Sequence, residues 1–127
     1  MLEAFGSGFL VFAFFATALF QLAIVFGAPL GEYSYGGQQE GKLSVPFRVA
    51  SAFSALLMLA IAGHYLAQLG ILATLLPADL NQLVNWALVG FCALAAISNN
   101  LTRGPKEKRL WGPVTIAMFA ASVLVAL

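Results

Sequence analysis

The chain has 127 residues, 61% of them hydrophobic and 9% charged, with a formal net charge of +1. A soluble domain carries roughly a quarter charged residues, so this composition excludes an ordinary soluble fold, and nucleic acid is not an expected partner. One cysteine and one histidine exclude an internal disulfide, a CxxC pair, a zinc site of ordinary ligand count and a bis-histidine haem within one subunit.

Charge placement organises what is left. No Asp, Glu, Lys or Arg occurs between Glu3 and Glu32, between Arg48 and Asp79, between Asp79 and Arg103, or after Arg109. Each gap accommodates the ~20 residues with which an α-helix crosses ~30 Å of hydrocarbon. The expectation is an all-α membrane protein, a single domain forming a four-transmembrane-helix bundle, with a structured Gly-rich loop between helices 1 and 2.

The first helix is expected over residues 5–28. Its start carries Glu3 and no basic residue, unlike a cleavable signal peptide. Its phenylalanines fall on all sides, as on a lipid-facing surface. Gly6, Gly8, Ala13, Ala16 and Thr17 permit close approach by a neighbour. Gln21 stands about two turns from the end of the segment. A buried amide without a partner costs on the order of a few kcal/mol, so Gln21 is expected to face the bundle interior.

Residues 27–46, GAPLGEYSYGGQQEGKLSVP, hold five of the twelve glycines and two of the three tyrosines. That composition fits a compact cap. Tyr33 and Tyr35 suit headgroup level, and Gly36-Gly37 is a turn pair that allows a short hairpin. Glu32 is placed to pair with Arg48 or Arg103.

Helix two is expected over 47–69, with Pro46 in its first turn. Its contact surface reads as Ala50, Ser51, Ser54, Ala55, Ala62 and Gly63. His64, Tyr65 and Gln68 fall near its far end, where amphipathic rings prefer the interface. Helix three, over 81–101, has Asp79 or Asn81 as its cap. Gly90, Ala93 and Ala96 or Ile97 are its expected packing positions. Asn85 lies near its entry and Asn99 near its exit, and with Gln21 they are the candidates for a polar bundle interior. Cys92, mid-helix, reads as packing. The run from Lys106 to Arg109 reads as a solvated turn, opening a fourth helix over 110–127 with Pro113 in its first turn.

All six basic residues, Lys42, Arg48, Arg103, Lys106, Lys108 and Arg109, fall in or beside the first and third connections. By the positive-inside rule both connections are cytoplasmic and both termini lie outside. This face sets six basic residues against Glu32, Glu40 and Glu107. It can attract anionic headgroups, with Glu32, Tyr33, Tyr35, Arg48, Arg103, Lys106 and Arg109 as the candidate contacts.

No catalytic or metal-ligating set is visible and no cofactor is implied. No acid lies within a span, Ser7 and Ser34 lack the G-x-S-x-G pattern, and Gly41-Lys42 is followed by Leu43 rather than Ser or Thr. GAPLGEYSYGG, LSVPFRVAS, EKRLWGP and the terminal VAL resemble a group of small four-span bacterial membrane proteins. The resemblance implies a multi-pass protein of the bacterial inner membrane and brings no activity. Three functions remain: a non-enzymatic module binding lipid or a membrane-protein partner through its cytoplasmic face, a homo-oligomeric transporter or channel, and a lipid-modifying enzyme using a polar cavity that includes Gln21, His64 or Asn99.

Overall fold

The computed structural model describes residues 1–127. It comprises four α-helices: α1 (Leu2–Val25), α2 (Val45–Gln68), α3 (Ala78–Leu101) and α4 (Pro105–Ala126). Each is long and apolar enough to cross a membrane.

Glycine and proline set the ends. α1 stops at Val25 rather than running on to residue 28, because Gly27 adopts φ +90°. Ala28 N then donates to Ala23 O at 2.9 Å and Gly27 N to Ile24 O at 3.0 Å, the paired reversal that satisfies the last carbonyls of a helix. Gly70 (φ +80°) ends α2 in the same way, through Ile71 N to Leu66 O and Gly70 N to Ala67 O.

The starts differ more from expectation. α3 begins at Ala78 behind Pro77, so Asp79 is not its cap. The Asp79 carboxylate accepts from Leu80 N at 2.9 Å, within the first turn where negative charge suits the helix dipole. α4 begins at Pro105, five residues earlier than expected, because that proline already has the φ a first helical position needs. Pro113 therefore lies inside the helix, where it leaves Arg109 O without its usual donor.

α1 packs against α2 on one side and α4 on the other, and α3 packs against α4. Glycines permit the closest approaches. A Cβ at Gly6 would lie 3.1 Å from Ala121 O, and one at Gly112 would lie 2.8 Å from Asn100 Oδ1. The core joins Leu10 and Phe14 of α1, Ile61 and Tyr65 of α2, Leu88 and Cys92 of α3, and Met118 and Val125 of α4. Tyr65 is fully buried and stacks on Phe14 with ring centroids 6.0 Å apart, so it is a core residue and not an interfacial one.

Outward faces are apolar: Phe12, Phe15, Phe53, Leu56, Leu94 and Ile97 are all exposed. Several small residues expected at contacts also face outward. Gly90 is exposed with nothing near it, and Ala16 borders a shallow groove with Gly8, Phe12 and Phe15. The contact face of α3 is instead Asn85, Leu88 and Cys92.

The two ends of the bundle are built differently. At the end bearing the termini and the 69–77 connection, amides tie α2, α3 and α4 together. His64 Nε2 lies 2.7 Å from Asn85 Oδ1, Gln68 and Asn81 exchange two bonds of 2.9 Å, and Gln82 donates to Ala126 O. Asn85 Nδ2 also donates to Gln68 Oε1 at 3.3 Å. The opposite end is closed by the 26–44 loop.

Candidate functional site

The loop folds as two short 3-10 turns, Gly31–Tyr33 and Tyr35–Gly37, in place of a hairpin. The second turn and the chain beyond it use glycines at positive φ: Gly36 (+76°), Gly37 (+69°) and Gly41 (+70°). Tyr35 also has φ +51°, an uncommon conformation for a residue with a side chain. Its hydroxyl is held 2.9 Å from Ser51 Oγ and 3.3 Å from Phe47 O, which fixes the loop to α2.

The same loop is fixed to α4. Trp111 Nε1 donates to Tyr33 O at 3.1 Å, and Gly36 N donates to Glu107 Oε2 at 3.1 Å. Gly37 and Gly104 meet backbone to backbone, a Cβ at Gly37 lying 2.9 Å from Gly104 Cα. Glu32 pairs with Lys106 at 2.5 Å rather than with Arg48 or Arg103. Arg48 instead donates twice to Val25 O, at 2.8 and 3.0 Å, capping α1. Arg103 and Arg109 are exposed.

Beneath the loop lies a partly open cavity of about 240 Å³. α1 supplies Phe14, Thr17, Phe20 and Gln21; α2 supplies Ser54 and Met58; α3 supplies Phe91, Ala95 and Asn99. α4 supplies Glu107, Trp111, Thr115 and Met118, and the loop supplies Tyr33, Ser34 and Tyr35. Its floor is thus apolar and its loop side polar and aromatic. α2 and α3 form two walls without packing on one another along this half, their hydrogen bonds being confined to the far end.

Among the three residues expected in a polar interior, Gln21 and Asn99 meet in this cavity and Asn85 does not. Asn85 is buried at the far end on His64 and Gln68, with the layer of Phe14, Tyr65, Cys92 and Met118 between. Gln21 Oε1 is buried and has no hydrogen-bond partner. Asn99 donates one of its two amide N–H groups to Ala95 O at 2.8 Å, and its carbonyl oxygen accepts no bond within the chain.

Glu107 is the residue the sequence reading missed. Placed there in a solvated turn, it is only 7% exposed and has no basic partner. A signal for it exists: Glu107, Trp111, Thr115, Met118 and Ser122 recur at helical spacing, so a helix begun at Pro105 puts Glu107 on the inward stripe. Beginning α4 at 110 hid that stripe.

The fold and site define an all-helical bundle of four membrane-length helices with a polar, aromatic-lined cavity under one loop. The chain matches no protein-family model, no curated protein and no solved structure.

Proposed function

We propose that the protein is a non-enzymatic, multi-pass module of the bacterial inner membrane that binds lipid at the end bearing the 27–46 loop. The basic-residue count assigns that end to the cytoplasm. The observation that carries the reading is the cavity: apolar at depth, polar beneath the loop and walled by two helices that do not pack together there. A site for an amphiphile has this polarity, with a few placed polar groups over an apolar lining. At about 240 Å³ it is just below the ~300 Å³ of small ligand pockets, a size for a headgroup and the start of its chains. Gentle extraction followed by native mass spectrometry is expected to recover a protein–lipid complex. Recovery of a lipid-free chain from both detergent and lipid nanodiscs overturns the reading.

A lipid-modifying enzyme is the second reading, favoured by Gln21 and Asn99 sharing the cavity with a carboxylate. It requires the recovered lipid to change mass on incubation. A transporter or channel assembled from several copies has less support. Within one chain Gln21 and Asn99 are separated from Asn85 by the apolar core.

A further inference from the structure

The cavity holds one carboxyl group with no basic side chain beside it. Glu107 is buried to 93%, the complement of its 7% exposure, and receives a single neutral hydrogen bond, from Gly36 N to Oε2. The acids and bases around it are otherwise accounted for: Lys106 turns outward to Glu32, Arg48 is spent on Val25 O, and Lys108 and Arg109 are exposed. A buried carboxylate without a cation is costly, and natural proteins pair such groups. Two more acceptors line the same space, the partnerless Gln21 Oε1 and the Asn99 carbonyl oxygen. No basic side chain lines it. The remaining polar lining is the hydroxyls of Thr17, Ser34, Ser54 and Thr115, which can accept as well as donate, and the aromatic Tyr33, Tyr35 and Trp111, whose ring faces attract cations.

Resting on the lipid-binding reading, we propose that the cavity is a primary-ammonium site, with Glu107 as counter-charge and Gln21 and Asn99 as further acceptors. Three acceptors match the three N–H donors of a primary ammonium, whereas a quaternary ammonium would leave all three unbonded and an anion would meet a carboxylate. Apolar contact with Phe14, Met58 and Phe91 suits the carbon attached to the amine. Two sources share this chemistry, an ethanolamine lipid headgroup and a free aliphatic amine. For the lipid, Lys108 stands exposed next to Glu107 at the start of α4, a long side chain for its phosphate.

The test titrates the full-length protein in detergent with phosphatidylethanolamine, phosphatidylcholine and phosphatidylglycerol of matched chains, and separately with hexylamine, read by native mass spectrometry. The ethanolamine lipid is expected to bind about tenfold or more tighter than the other two, and hexylamine to displace it. Glu107→Gln keeps an acceptor for Gly36 N but removes the charge; it should weaken ethanolamine-lipid binding by about 10- to 100-fold, as expected for a hydrogen-bonded charge, and not weaken that of phosphatidylglycerol. Gln21→Met removes an atom that bonds nothing within the protein, so it should lower ethanolamine-lipid affinity several-fold without lowering the melting temperature. If Glu107→Gln does not fold, Gln21→Met decides alone. Equal binding of the three lipids, or ethanolamine-lipid binding indifferent to the variants, overturns the ammonium site and leaves the lipid reading standing. Hexylamine binding that depends on Glu107, with no lipid bound, overturns the lipid reading and keeps the site. Binding of nothing overturns both.

Discussion

At the scale of single residues, the polar groups of this bundle divide into those with partners and those without, and the two kinds predict opposite responses. Asn85 is buried and joins His64 Nε2 to Gln68 Oε1. Asn85→Leu orphans His64 Nε2 and leaves Gln68 Oε1 to Asn81 alone, and should cost ~1–3 kcal/mol, read as a lower melting temperature in detergent. Tyr65 is equally buried, but its hydroxyl has no partner. Tyr65→Phe keeps the stacking on Phe14 and discards an unsatisfied group, so stability should hold or rise. A clear loss in Tyr65→Phe would mean that the hydroxyl has a partner after all.

The loop glycines give a second internal comparison. Gly37 and Gly41 both have positive φ, yet a Cβ at Gly37 meets Gly104 Cα at 2.9 Å while one at Gly41 meets nothing. Gly41→Ala should cost the conformational term alone, ~1–2 kcal/mol, and Gly37→Ala visibly more. Equal losses would show that the contact between the loop and residue 104 is not tight. Tyr33 and Tyr35 were legible as loop residues of special character. Their roles were not, because one acts through its main-chain carbonyl and the other through a bond to Ser51, sixteen positions away.

At the scale of elements, the helices and their approximate extents follow from the sequence because a segment without charge can hide in hydrocarbon and a charged one cannot. Their starts are less legible. Four prolines stand near helix starts, Pro77 directly before α3 and the others at 46, 105 and 113, where each suits a first turn; only the fold shows that Pro105 takes that role and Pro113 lies within α4. The ties between elements also separate by strength. Glu32–Lys106 is a half-exposed pair, and Lys106→Ala should change stability by ~1 kcal/mol or less. Arg48 meets the carbonyl end of α1 with two charge-assisted bonds, so Arg48→Gln should cost more, ~1.5–3 kcal/mol. If the order is reversed in thermal melts, α1 is not capped by Arg48.

At the scale of the whole molecule, the proposed topology puts both termini outside the cytoplasm. Cys92 is buried, so a single cysteine added at the C-terminus reports its own side alone. Labelling of intact cells by a membrane-impermeant maleimide is expected; labelling only after the membrane is breached overturns the orientation. The two ends of the bundle are unequal. One end is closed by amides that tie α2 to α3, and the other is left wide enough for a cavity that the loop covers.

The sequence by itself determined the class of the protein, four apolar helices joined by connections of known charge, because hydropathy and charge are local quantities that each segment carries alone. It also pointed to Gln21 as an amide needing company. Tertiary structure decided which polar groups meet: that Gln21 joins Asn99 but not Asn85, that Glu32 finds Lys106, and that Glu107 turns inward beneath Gly36. Those choices depend on helix rotation and on which helices pack together, and in a chain whose helices are apolar on every side no stripe of hydrophobicity fixes the rotation. It is set instead by the few small and polar residues at the contacts, whose partners lie far away along the chain.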